Sequence, residues 1–203
     1  MRHLLLATVA ALALAGCTTP LNIPSAEPTG TATTAPTPTT APSPTTASGF
    51  AVTSADFTDG GELAESTTAN AFNGQCTGDN ENPDLSWSGA PEGTQSYAIT
   101  MIDRSAANYI HWVHFDIPAD VTGVARGESD SLAGSGSEND QSELGYFGPC
   151  PPGPDHRYEF TVYALDAALG LGDGASFVDL KKGIDEHVLA QATINGMRSG
   201  PGE

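Results

Sequence analysis

Basic residues are scarce in this chain: 7 Lys and Arg stand against 25 Asp and Glu, a formal net charge of −18 over 203 residues. Nucleic-acid binding depends on cations that displace the counterions of phosphates, so that class of partner is excluded. The same imbalance excludes flat adhesion to anionic lipid, and any hold on a membrane must come through a covalent anchor. Long apolar runs are missing too, since the stretch from Leu4 to Leu14 is too short to span a bilayer. No nucleophile motif of the G-x-S-x-G type occurs, and Gly134-Ser135-Gly136 falls in a polar, acidic segment. An enzyme is therefore not expected, nor a cofactor. Internal repeats are absent. Cysteine is confined to positions 17, 76 and 150.

What is present begins with a processing signal. In MRHLLLATVAALALAGC, Arg2 and His3 form a short basic region, an apolar stretch follows, and Ala15 and Gly16 precede Cys17. The string LAGC matches the bacterial lipobox, in which the cysteine is diacylated and becomes the mature N-terminus. An ordinary secretory signal with an incidental cysteine is the alternative. The lipobox reading assigns residues 1–16 to a signal peptide, makes Cys17 the lipidation site, and places the protein outside the cytoplasm on a bacterial envelope.

Residues 17–48 carry that anchor and a tether. The text TGTATTAPTPTTAPSPTTAS offers almost no apolar bulk, so it is expected to stay disordered. With proline favouring extended conformations at about 3.1 Å per residue, it would hold a domain up to roughly 100 Å from the lipid. The domain itself is expected over residues 49–203, where all the acids but Glu27 and all the bases but Arg2 reside. Once Cys17 is lipidated, Cys76 and Cys150 remain as an even pair in an oxidising compartment, which predicts a disulfide between them.

Short strands broken by Gly, Pro, Asn and Asp dominate the domain, which predicts a mainly β fold. The candidates are FAVTSADF, a weak strand near Asp84 to Trp87, QSYAITMID, IHWVHFDI and RYEFTVYALD. Residues 125–145 are polar, acidic and rich in Gly and Ser, and read as a long surface loop. From Ser176 to Ala192 the spacing of Phe177, Leu180, Ile184, Val188 and Leu189 predicts a helix. The expected architecture is an antiparallel β-sandwich with a C-terminal helix.

Strand parity locates the chemistry. Tyr97, Ile99, Met101 and Asp103 should share one face. His111, Val113, Phe115 and Ile117 should share another, opposite Trp112, His114 and Asp116, and His156 should lie with Tyr158, Phe160 and Val162. Antiparallel pairing would bring the end of one strand at Asp103 to the start of the next at His111. Placing His156 at the same rim needs an antiparallel neighbour two strands removed. The H-x-x-H spacing of His111 and His114 is not a metal signature, because strand residues three apart face opposite ways. No metal site is expected. Trp87, Trp112 and Phe160 read as core.

These blocks also carry a resemblance. NENPDLSWSGAPEGTQSYAITMID, HWVHFDIP, GYFGPCPPGPDHRYEFTVYALD and HVLAQATINGM together resemble the phosphatidylethanolamine-binding protein family, also called Raf kinase inhibitor-like proteins, in its bacterial YbhB/YbcL branch. The third block, a Pro-rich loop leading into His-Arg-Tyr and a strand, is the most specific. The resemblance implies a β-sandwich whose pocket holds small anions such as phosphate or phosphoethanolamine head groups. It implies ligand-binding roles for Asp103, His111, Gly148, Pro149, His156 and Tyr158. Where the family writes Asp-Pro-Asp-Ala-Pro, this chain has Asp103-Arg104-Ser105-Ala106-Ala107. That change removes a carboxylate, adds a cation near the pocket and takes away two stiffening prolines. A second possibility is a protein-interaction or inhibitor module that regulates an envelope enzyme through the acidic segment 125–145.

Overall fold

Alternating and β-branched sequence produces strands, and in this chain the longest ones carry the rim where the candidate residues gather. The structure is a computed structural model that describes residues 49–200. The signal peptide, Cys17 and the tether lie outside the described residues. In chain order the elements are β1 (Ala51–Thr53), β2 (Gly61–Glu62), β3 (Asn70–Ala71), β4 (Cys76–Thr77), β5 (Leu85–Ser88), β6 (Ser96–Asp103), β7 (Tyr109–Pro118), β8 (Gly123–Val124), β9 (Ser135–Gly136), β10 (His156–Leu165), α1 (Phe177–His187) and β11 (Val188–Arg198). Among the described residues, one sheet runs β2-β11-β10-β6-β7-β9 and a smaller one runs β1-β5-β8.

The two sheets face each other across a core rich in aromatics. Phe50, Val52, Leu85, Trp87 and Val124 come from the small-sheet side, and Tyr97, Ile99, Met101, Trp112, Tyr158, Phe160, Val162 and Ile194 from the large sheet. The opposite face of the large sheet packs Ala98, Val113, Phe115 and Leu165 against Leu180 and Ile184 of α1. The expected sandwich with one helix is thus present, and Trp87, Trp112 and Phe160 are core residues.

The helix begins as its sequence directs but ends early. Ser176 Oγ accepts from Asp179 N at 3.1 Å and donates to the Asp179 carboxylate at 2.7 Å, a reciprocal N-terminal cap. The spacing predicted helix to Ala192, and the helix stops at His187. From Val188 the chain instead forms β11, paired with β10 from Leu165↔Val188 to His156↔Arg198. A continuous ladder against a central strand outweighs the weak helical preference of a run containing Val188, Thr193 and Ile194. The helix therefore precedes the last strand, and that strand sits inside the sheet.

Two irregularities in β7 overturn the expected parity. Met101 pairs with Trp112 and Ile102 with Ile110, so His111 is the extra residue of a bulge. A second shift falls between the pairs Tyr97↔Ile117 and Ile99↔His114, where Asp116 has φ +55° and its carboxylate accepts from Leu169 N and Gly170 N. Val113 and Phe115 therefore face the helix, whereas Trp112 and Ile117 face the small sheet. His111 joins Trp112's side, where its ring meets Tyr158 at 5.2 Å between centroids. Bulges re-aim side chains in this way, and alternation alone does not reveal them.

Segment 125–145 is also more ordered than a surface loop. β9 pairs with β7 at the sheet edge, and Ser137 is fully buried with its hydroxyl donating to Ala175 O at 2.6 Å. Ile110 N donates to the Asp140 carboxylate at 2.7 Å, and Ser129 N donates to Asn82 Oδ1 at 2.8 Å. Short polar side chains satisfy the backbone that the missing ladders leave free, so the segment forms a wall of the molecule.

Candidate functional site

The site lies where β6 ends and β7 and β10 begin. Because β6 pairs antiparallel with both, Asp103 stands opposite Tyr109 on one side and Tyr158 on the other. This direct pairing of β10 with β6 supplies the neighbour that brings His156 to the rim occupied by Asp103 and His111.

Asp103 is almost fully buried, and its carboxylate is internally committed. Oδ1 accepts from Ser105 N at 2.8 Å and from Ala106 N at 3.1 Å, while Oδ2 accepts from His156 Nδ1 at 2.6 Å. The turn that follows closes through Tyr109 N donating to Ala106 O, with Ala107 and Asn108 at φ +52° and +64°. Hydrogen bonds thus hold a turn that lacks prolines. Arg104 does not add a cation to the pocket: its guanidinium pairs with Glu159 and donates to Asn108 Oδ1. Ser105 also stays outside the cleft, its hydroxyl accepting from Arg157 N.

His111 is 4% exposed, and its Nδ1 lies 2.8 Å from the Phe147 carbonyl. A carbonyl only accepts, so that nitrogen carries the hydrogen. Burial holds the ring below the ordinary histidine pKa, partly opposed by the Phe147 carbonyl and the charges of Asp103 and Asp140. His156 likewise turns Nδ1 to a partner that accepts. Tyr158 completes the group. Its hydroxyl is buried with no hydrogen-bond partner within 3.5 Å, and burial pushes its pKa well above the usual phenol value, with the nearby Asp103 carboxylate adding to the rise through its charge and a longer contact and Arg198 opposing it.

Gly148 and Pro149 take supporting places and do not line the cleft. Gly148 N donates to Asn80 Oδ1 at 2.8 Å, and a Cβ at this position would sit 2.2 Å from Thr67 O, so only glycine fits. Ala69 N donates to Pro149 O at 3.1 Å. The Gly148 amide is therefore occupied within the protein, because the loop is sewn to residues 67–80. The expected disulfide is present: Cys76 and Cys150 are bonded, with Cα atoms 5.9 Å apart. It ties the same two segments.

The resulting cleft has a volume of about 200 Å³ and is lined by Asp103, His111, His156 and Tyr158 together with residues that sequence reasoning missed. Phe147, Pro151 and Pro152 lay inside the recognised proline-rich block, and Tyr109 is two positions from His111. Gln141 and Phe72 had no local signal. Gln141 Nε2 donates to the Tyr109 hydroxyl, 2.5 Å away, and Phe72 stacks edge-on with Phe147 while remaining 46% exposed. Phe72 and Asn73 both have φ +55°, an uncommon backbone for a bulky residue, which holds the phenyl ring at the mouth. A second cleft of about 440 Å³ continues outward over Phe72, Gln75, Cys150, Pro151 and Pro152. His114 is elsewhere, with Nε2 3.3 Å from the Ala133 carbonyl, and His187 bonds the Asp166 carboxylate at 2.8 Å. No cluster of three or more metal-ligating side chains occurs among the described residues.

Similarity to known proteins accords with this layout. Residues 53–199 match the profile of the phosphatidylethanolamine-binding protein family. A UPF0098 protein of Methanothermobacter thermautotrophicus is 42% identical over 128 residues, spanning 60% of this chain and 85% of that protein. The putative lipoprotein LppC of Mycobacterium tuberculosis is 35% identical over 135 residues, 62% of this chain and 63% of LppC. In three dimensions the chain is similar to Escherichia coli YbcL, a member of the mammalian PEBP family. The TM-score is 0.68 at 31% identity, covering 74% of this chain and 98% of YbcL.

Proposed function

The chain belongs to the phosphatidylethanolamine-binding protein family, and from that premise we propose that the rim cleft holds a small anionic, phosphate-type group without turning it over. One observation carries the reading: a fully buried Tyr158 hydroxyl without a partner shares a small cleft with two histidines. An unpaired buried hydroxyl costs about 1–3 kcal/mol, which a bound acceptor would recover. The cleft is smaller than pockets for drug-sized molecules, typically about 300–1,000 Å³, and suits a head group. The second cleft leaves room for the organic substituent outside.

The protein would display this site on the outer side of a bacterial envelope membrane, anchored at Cys17. The lipobox and the similarity to a putative lipoprotein support that location. No helix among the described residues is long and apolar enough to cross a membrane. A second reading, capture of a protein partner by segment 125–145, draws on Leu144, 53% exposed beside Glu143 and Asp140. In that reading Leu144→Asp would abolish capture and leave phosphate binding intact.

The direct test is an NMR titration of the isotopically labelled full chain with phosphate and phosphoethanolamine, repeated on His156→Ala. Saturable shifts at His111, Tyr109 and Tyr158 that vanish in the variant are expected. Flat spectra up to millimolar ligand would end the reading.

A further inference from the structure

Hydrogen placement at the two cleft histidines narrows the kind of anion that fits. His111 Nδ1 faces the Phe147 carbonyl at 2.8 Å, and His156 Nδ1 faces the Asp103 carboxylate at 2.6 Å. Both partners accept only, so both rings carry hydrogen on Nδ1. A neutral ring in that tautomer presents a lone pair at Nε2. Among the described residues neither Nε2 makes a hydrogen bond and both rings line the cleft, with the Gly148 backbone also close to the His111 ring. The Tyr158 hydroxyl is the complementary donor, fully buried and without a partner. The cleft thus offers acceptors beside one donor.

No lysine or arginine lines the cleft, and the one arginine whose charge reaches Tyr158, Arg198 of β11, donates to the Leu63 carbonyl and the Glu62 carboxylate. The groups facing His111 are Asp103 from β6, Tyr109 on its own strand, His156 and Tyr158 from β10, and Asp140 from the segment after β9. Two of these are carboxylates. Full ionisation of a ligand would place bare anionic oxygens against imidazole lone pairs in the field of both.

We propose that the cleft selects oxyanions that carry a proton, such as inorganic phosphate or a singly charged phosphomonoester, over fully ionised dianions such as sulfate. The inference rests on the anion-binding reading above and names the ligand's protonation state. In the complex a P–O–H group donates to a histidine Nε2 while an ionised P–O oxygen accepts from Tyr158. One proton lies along the contact between that oxygen and the imidazole, whichever end holds it. Phosphate delivers that proton, because its hydrogen phosphate form keeps one hydroxyl. Sulfate has none, so the protein must take it from solvent. Taking it up is opposed at His111, where burial disfavours the charged ring.

Hydrogen phosphate and sulfate have the same charge and nearly the same shape and differ by one proton. Calorimetric titration of the full chain with each, at about pH 8 and about pH 5.5, brackets the ordinary histidine pKa. At the higher pH, phosphate is expected to bind about tenfold or more tightly than sulfate, the penalty of facing an acceptor with an acceptor. At the lower pH the gap narrows as protonated rings become donors. Methyl phosphate, whose second pKa is about 6, should behave like sulfate at the higher pH and like phosphate at the lower. His111→Gln and His156→Gln bring the ratio toward one, because a carboxamide can turn its NH₂ to the anion. Tyr158→Phe weakens both anions by a similar factor and leaves the ratio alone. Equal affinities in the unaltered protein at the higher pH would overturn the inference while leaving anion binding standing. So would a ratio unmoved by both glutamine variants. Binding of neither anion would remove the anion-binding reading and this inference with it. Should the buried His111 variant fail to fold, the comparison of pH values in the unaltered chain still decides.

Discussion

The two faces of the large sheet are built for different tasks. Toward α1, aliphatic side chains such as Leu165, Leu180 and Ile184 close against Val113 and Phe115. Toward the small sheet lie most of the buried aromatics, and three of them hold polar atoms without partners: Trp87 Nε1, Trp112 Nε1 and the Tyr158 hydroxyl. The sandwich face is less completely satisfied, and at its rim the deficit opens into a cleft. Segregating the two tasks lets the rim carry a bulge, left-handed residues and an unpaired hydroxyl on a rigid support.

Breaking the rim's covalent tie should have the largest effect. The Cys76–Cys150 disulfide spans a sequence separation of 74, and Cys76→Ser with Cys150→Ser is expected to cost about 4 kcal/mol in denaturant unfolding. Phosphate affinity should fall as well, since the bridge joins the segments that bring Phe72 and Pro151 together. A helix-face change should separate these effects. Leu180→Ala is expected to lose about 3 kcal/mol of stability while calorimetry finds the phosphate affinity unchanged. An equal loss of affinity would show that the faces are coupled.

The rim's hydroxyl sharpens the comparison in the opposite sense. Tyr158→Phe removes a buried, unpaired polar atom, so stability should hold or rise by about 1 kcal/mol while phosphate binding weakens. A stability loss of several kcal/mol would mean the hydroxyl has a partner in the free protein.

A smaller effect concerns pH. Burial holds folded His111 and His114 below the ordinary value of 6.5. The unfolded chain therefore takes up protons first, so stability present above that pH is lost as pH falls toward the lower folded values. Unfolding melts across this range should show the loss, and His111→Gln and His114→Gln should each reduce it. Saturating phosphate should oppose the loss at His111, in the cleft, and not at His114, outside it. The slightest effect is ionic. Screening the net −18 of the chain with an inert salt should strengthen phosphate binding modestly.

Much of this layout was legible in the chain, for local reasons. YAITMID, HWVHFDI and HRYEFTVYAL became β6, β7 and β10 because alternation and β-branching act within a few residues. The Cys76–Cys150 pair followed from arithmetic, and the rim grouping of Asp103, His111, His156 and Tyr158 agreed with the family motif, although parity alone put His111 on the wrong face. The errors are informative in the same terms. A helix drawn to Ala192 missed that β10 offers Val188 onward a ladder, and nothing local showed that the Gly148 amide donates to Asn80, 68 positions earlier.

Sequence alone determined the long strands β6, β7 and β10, the helix start at Ser176, the disulfide pairing and the chemical types gathered at the rim, because each depends on neighbours in the chain or on counting. Tertiary structure decided which way His111 faces, where α1 stops, and that Gln141 and Phe72 close the cleft. Those outcomes depend on pairing register and on which distant group satisfies a buried donor. Both are settled only when strands far apart in sequence meet.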